Sequence, residues 1–360
     1  MINVTKTFLP PLAEYMAQVG RAYKNAWLTN RGELVRELEE KVSDFLGLGE
    51  SKMICMNNGT VPLQIALKLL ANGGEVITTP FSYVATTASI VWENCTPVFV
   101  DIHPEFLTID ETLIEAAITE RTTCILATHV FGNPCNIEEI DRIAKKYGLH
   151  VIYDAAHCFG VKYKGKSIFE YGDVSTCSFH ATKLFHTAEG GAVFCKDEHL
   201  FHKLFYSHNF GHNGPLDFHG LGINAKISEL QAAMGLAVLP HLSEIIMGRK
   251  GVVEHYDSGL SNTKIQKMKL REANHWNYSY YPILLSTEQV LLTIDTAMKA
   301  EGVTCRRYFY PTLNSLNYLQ NQVCRVSEDV AKRILCLPLY PDLNASDVNR
   351  IIKIINEHAE

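Results

Sequence analysis

Between residues 52 and 195 the chain repeats one pattern: a short apolar run, then a stretch whose apolar residues recur three or four apart. The strand candidates are 52–56, 75–79, 97–101, 124–129, 150–154, 174–179 and 192–195. Between them Val61, Ile65 and Leu69 fall at i, i+4 and i+8, and Ile137, Ile140, Ile143 and Ala144 mark a second stripe. Apolar strands alternating with amphipathic helices predict an α/β fold, a mostly parallel sheet covered by helices on both faces.

Beyond Asn224 a long helical pattern carries Ile227, Leu230, Met234, Ala237 and Leu239 and runs past Pro240 with a kink or break there. Strands at 278–284 and 303–309, a helix at 289–300 and a final helix at 346–358 complete the pattern. A length of 360 residues suits a large domain, 1–244, with a smaller C-terminal α+β domain, 245–360. The N-terminal segment is expected to pack on the smaller one.

The formal net charge of −6 argues against general attraction to nucleic acid or to an anionic membrane, so an anionic ligand needs a local positive pocket. The 10 cysteines are scattered, without a CxxC pair or a Cys/His cluster at zinc spacing, so no metal site is expected. Cys55, Cys124, Cys177 and Cys195 lie inside apolar runs, which suits free thiols in a reducing cytoplasm. The first residues lack a signal-peptide profile, and no apolar stretch reaches the ~18–20 residues that span a bilayer.

Three stations carry chemistry. Asn57-Asn58-Gly59-Thr60 joins a strand to a helix start, with Pro62 in the first turn. Such a junction presents free N–H groups to an anion, although taken alone simple capping by Asn58 or Thr60 is the better explanation. Asp154 closes an apolar strand, where α/β sheets gather ligands, and an N-cap is the competing role. Lys183 leaves the strand ending at Phe179 just before the pair Gly190-Gly191, whereas most lone lysines are solvated surface charges.

Together the stations suit pyridoxal 5'-phosphate, which needs an amine for a Schiff base, an acid facing its pyridine nitrogen and a phosphate cradle. A carboxylate within about 4–6 Å shifts a partner's pKa by ~1–3 units, enough to hold the ring proton. No GxGxxG follows the first strand and no GxxxxGK[ST] appears, which disfavours dinucleotide and P-loop readings.

The motifs resemble those of the DegT/DnrJ-type sugar aminotransferases, which belong to the aspartate-aminotransferase (fold type I) group. The likeness runs through Trp27-Leu28-Thr29-Asn30, Asn58-Gly59-Thr60, Pro80-Phe81-Ser82-Tyr83 and His129-Val130-Phe131-Gly132-Asn133-Pro134. It continues in Asp154-Ala155-Ala156-His157, Ser178-Phe179-His180-Ala181-Thr182-Lys183, Glu189-Gly190-Gly191, Gly222-Ile223-Asn224 and Leu337-Pro338-Leu339-Tyr340-Pro341.

The resemblance implies that Lys183 and Asp154 are catalytic. It implies further that Gly59, Thr60 and Ser178 hold the phosphate, Tyr83 stacks on the ring and His157 stands near the ring hydroxyl. Asn224 would reach the phosphate of a neighbouring subunit, giving a homodimer with shared active sites. Tyr83 as core packing and Asn224 as a helix cap are the simpler alternatives. Family members often carry Arg where Lys226 stands, which makes Lys226 a candidate for the substrate diphosphate, with the charge kept and the bidentate fork lost.

The run from Ser178 to Lys183 and the segment Phe8-Leu9-Pro10-Pro11-Leu12 resemble the viosamine-forming 4-aminotransferases. That implies an amino acid donor (glutamate), the pyridoxamine form of the cofactor midway, and dTDP-4-keto-6-deoxyglucose as acceptor, for O-antigen or a related glycan. On this reading His186 faces the sugar, while Arg306, Tyr308 and Tyr310 approach the nucleotide or sit on a surface strand. A 3-aminotransferase and a non-catalytic cofactor-binding regulator are the alternatives.

Overall fold

The computed structural model describes residues 1–260, 264–320 and 322–359. Seven strands build the central sheet: β1 (Lys52–Met56), β2 (Glu75–Thr78), β3 (Thr96–Phe99), β4 (Thr122–Thr128), β5 (His150–Asp154), β6 (Val174–Ser178) and β7 (Gly191–Cys195). Their order is β1-β7-β6-β5-β4-β2-β3. Only β7 runs against its neighbours, pairing antiparallel with both β1 and β6, so six strands point their carboxyl ends to one edge.

Alternate residues of each strand feed opposite cores. Met53 and Cys55 of β1 join Ile125 and Ala127 of β4 on one face, under helices α2 (Glu33–Leu46), α5 (Ile137–Tyr147) and α7 (Glu229–Val238). Ile54 and Met56 join Cys124 and Leu126 on the other, under α3 (Val61–Leu70), α4 (Val84–Trp92) and α6 (Glu198–Ser207). The two-residue period of a strand produces this split. Burying both faces removes the polar alternation that a half-exposed sheet would show.

The helical run after Asn224 is α7, a 3₁₀ turn at Leu239–His241 containing Pro240, and α8 (Leu242–Gly259). Contrary to expectation, the stretch Glu229–Gly259 is long and apolar enough to cross a bilayer, with a mean hydropathy of 1.4 over its best window. Half of that window is buried inside the protein, where α7 packs on α2 and on α1 (Leu12–Asn25). Its apolarity belongs to a core helix.

Leu242 and Ile245 of α8 enter the sheet's core, whereas Val252, Val253 and Tyr256 enter a second one. That second core holds α9 (Glu288–Ala300), α11 (Ala345–His358) and an antiparallel sheet of β8 (Gln266–Lys267), β9 (Tyr281–Leu284) and β10 (Ile334–Leu337). We propose that the domain division falls within α8. At the N-terminus, Ile2 pairs with Val303 and Val4 accepts a hydrogen bond from the Leu339 amide, both in the C-terminal part.

The expected strand at 303–309 is not formed. Val303 and Arg306 make isolated bridges, to Ile2 and to Cys336 of β10, and the chain between stays irregular. All ten cysteines are buried free thiols.

Candidate active site

Strand ends and the turns after them converge on a cavity of about 230 Å³. From the β1–α3 turn come Gly59 and Thr60, from the turn before α4 comes Tyr83, and from the ends of β5 and β6 come Asp154, His157 and Ser178. Lys183 lies in the loop between β6 and β7. Arg306 and Tyr308 close the cavity from the C-terminal part, the Arg306 guanidinium 3.9 Å above the Tyr308 ring.

Gly59 owes its place to close approach: a Cβ there would stand 2.7 Å from Ser178 Cβ. The Asn58 side chain accepts the Thr60 and Val61 amides at 2.8 and 2.9 Å, so the capping alternative is realised here. The hydroxyl-bearing residues Thr60 and Ser178 line the cavity beside Gly59.

Asp154 is buried. Its Oδ2 accepts the Thr86 hydroxyl at 2.7 Å and its Oδ1 the Ala156 amide at 3.1 Å. Thr86 is in turn 2.8 Å from Ser82 Oγ, which is 3.0 Å from Thr128 Oγ1. Burial pushes the Asp154 carboxyl up, against the Thr86 and Ala156 hydrogen bonds and the charge of Lys183. Burial likewise brings Lys183 down to about 8, with Asp154 opposing the change. A lysine near 8 gives up and regains its proton close to neutral pH.

The His157 Nδ1 accepts the Phe131 amide at 3.1 Å, which puts the ring hydrogen on Nε2. Burial, with Lys183 nearby, holds the imidazole neutral. His157 therefore offers a neutral N–H donor.

Several expected residues lie elsewhere. His186 does not line the cavity: its Nε2 meets the Phe8 carbonyl at 2.7 Å and its Nδ1 accepts the Ala188 amide at 3.2 Å. Both nitrogens are used in tying the N-terminal segment to the lysine loop. His186→Ala is expected to cost roughly 1–3 kcal/mol in urea unfolding while leaving the acceptor KM unchanged. Tyr310 is exposed, 3.6 Å from the Arg307 guanidinium, and also lies outside the cavity.

Asn224 and Lys226 form a separate cluster. Lys226 Nζ donates to Asn224 Oδ1 at 2.7 Å and to Asn209 Oδ1 at 2.8 Å and lies 4.7 Å from the Phe210 ring. The sequence reading missed Ser82, Thr86 and Thr128, and it missed His180 and Glu189 as cavity walls, with His180 Nε2 3.6 Å from Glu189. Their signal was position: Ser82 to Thr86 follow the carboxyl end of β2 as His157 follows that of β5.

Residues 12–356 match the DegT/DnrJ/EryC1/StrS aminotransferase family. The chain belongs to it. Within the family, a dTDP-4-amino-4,6-dideoxy-D-glucose transaminase of Shigella dysenteriae is 39% identical, the match covering 99% of this chain and 98% of the relative. One of the same name from Escherichia coli is 39% identical, with 98% of each chain covered. A UDP-N-acetyl-3-dehydro-alpha-D-glucosamine 3-aminotransferase of Acidithiobacillus ferrooxidans is 30% identical over 99% of this chain and 96% of its own. Among solved structures, DesI in the presence of its TDP-sugar product superposes with a TM-score of 0.93 at 31% identity, covering 99% of this chain and 93% of that one. The aspartate-aminotransferase-like fold expected from the resemblance is the fold found.

Proposed function

We propose that this aminotransferase moves an amino group from an amino acid, L-glutamate, to carbon 4 of dTDP-4-keto-6-deoxyglucose, giving dTDP-4-amino-4,6-dideoxyglucose. One observation carries the reading: a lysine brought to about 8 and a buried carboxylate line the same cavity as an arginine from the other part of the chain. The near-complete match to the two dTDP-sugar transaminases supports the acceptor.

The residues present fit pyridoxal 5'-phosphate, the cofactor of this enzyme. The Gly59 backbone pressed against Ser178 leaves a cradle that any Cβ would fill. Gly59, Thr60 and Ser178 would hold the phosphate there, Asp154 the pyridine nitrogen, Tyr83 the ring face and His157 the ring hydroxyl. When bound, the cofactor joins amines covalently and draws electrons from the adjoining carbon. Lys183 supplies the amine that anchors it and then carries a proton at Nζ. Asp154, its carboxylate steadied by Thr86, keeps a proton opposite. Arg306, with Tyr308 beneath it, faces the diphosphate of the nucleotide.

Asn224 is exposed and lies outside the cavity of its own chain. The adjoining loop exposes Phe210, Leu216, Phe218, Leu221 and Ile223. Exposed apolar side chains so grouped suit burial against a second copy, so the working unit is a homodimer in which Asn224 and Lys226 reach the partner's site. Ten free thiols suit a cytoplasmic enzyme, and its amino-sugar suits O-antigen or a related glycan.

The test is to incubate the protein with pyridoxal phosphate, glutamate and dTDP-4-keto-6-deoxyglucose and to assign the product by NMR. Nitrogen on carbon 4 is the expected result. A parallel incubation offers a dTDP-3-keto-6-deoxyhexose; amination of that acceptor alone would replace the 4-keto-sugar, and no product from either would leave a regulator.

A further inference from the structure

Tyr280 stands at the back of the lysine's seat, on a backbone clamped from two sides. The Asn277 side chain donates to the carbonyls of His157 and Phe159 at 2.8 and 2.9 Å. Arg249 of α8, itself buried, donates to the carbonyls of Tyr278 and Ser279, both at 3.1 Å. Its partners are carbonyls rather than a carboxylate, and burial brings its guanidinium down to about 10. Keeping a cation there is costly, and the effect is to fix the three residues that lead into one aromatic ring.

That ring is buried and meets three groups of the active site. Its centroid lies 5.8 Å from Lys183 Nζ, 4.7 Å from the His157 ring and 5.5 Å, edge-on, from the Tyr308 ring. An aromatic face carries negative potential and attracts an ammonium within about 6 Å. The other groups that bear on Lys183 are Asp154 from β5, Cys177 from β6, Tyr83 ahead of α4, and His157 and Arg306. Arg306 opposes the lysine's charge and His157 is neutral; Asp154, Cys177 and Tyr83 favour the charge, and the ring face of Tyr280 adds to them.

We propose that Tyr280 is a positioning residue: its ring face receives the amine of Lys183 when it is not joined to the cofactor and favours its protonated form, so that the proton is released at a higher pH than the pocket would otherwise allow. The proposal rests on Lys183 being the reacting amine. A lysine that alternates between bonded and free states needs a defined place when free, and flexible four-carbon stems do not provide one.

The test labels the full-length, cofactor-free protein with trinitrobenzenesulfonate across pH and reads Lys183 by peptide mass spectrometry. Tyr280→Leu is expected to lower the labelling midpoint by roughly 0.5–1 unit, and Tyr280→Phe, which keeps the face, to leave it in place. Replacing Tyr280 by p-cyanophenylalanine weakens the face at nearly constant shape and gives a smaller fall, which decides the matter if the leucine variant does not fold. An unchanged midpoint in the leucine and cyano variants overturns the proposal. The readout needs no turnover, so it stands apart from whether Lys183→Ala abolishes the reaction.

Discussion

Lys183→Ala is expected to cut turnover by at least about 10³-fold while the chain still folds. The amine is lost both as the cofactor's anchor and as the proton carrier, and no other lysine lines the cavity. Folding should survive because Lys183 weakens the native state. In the unfolded chain the amine ionises at its ordinary 10.5, in the native chain at about 8. Between those values the unfolded chain binds a proton that the native chain refuses, so stability falls as pH drops through the window. Below about 8 the whole penalty, at most about 3 kcal/mol, is present. Lys183→Met fills similar space without the charge. Its urea midpoint, measured without cofactor, should exceed the wild type's at pH 7 and converge with it above pH 10.5. A lower midpoint at pH 7, or alanine-variant turnover within tenfold of wild type, contradicts the assignment.

Asp154→Asn should lower kcat roughly 10- to 1000-fold, since a facing carboxylate accounts for ~1–3 units of a partner's pKa. An amide can still accept from Ala156 and donate to the Thr86 oxygen, so structure is kept while the charge goes. Asp154→Ala removes the acceptor of both the Thr86 hydroxyl and the Ala156 amide, adding roughly 1–3 kcal/mol of destabilisation. Single-turnover rates and unfolding curves for the two variants separate electrostatics from architecture. Equal rates in Asp154→Asn and wild type would remove the acid from the mechanism.

The large sheet was legible because most of its strands are closed local signals, apolar runs with Gly, Asp or Asn close to at least one end. Runs 52–56 and 150–154 agree with β1 and β5 to the residue. The C-terminal part was less legible because its pairings are distant. The run at 303–309 looks like a strand, yet its neighbours are Ile2 and Cys336, and only single bridges form. Ile334–Leu337 is a strand whose four apolar residues directly follow helix α10 (Arg325–Arg333), so no turn residue announced it. Lys183 and Asp154 could be found because their residue types are unusual where they stand. His186 could not be judged, since only the fold reveals that Phe8 takes up its Nε2.

The reversed strand β7 has a mechanical outcome. Because it returns directly beside β6, the lysine segment is pinned at both ends to one sheet. Phe179 and Gly190 are joined at 2.8 Å, and Ala181 and Ala188 at 2.7 Å. A parallel crossover would have let that stretch wander over the surface. Here whatever travel the chemistry needs must come from the side chain alone. Arg306 and Tyr308 line the same cavity from the other body, so changes at those two positions would leave the anchored lysine segment in place.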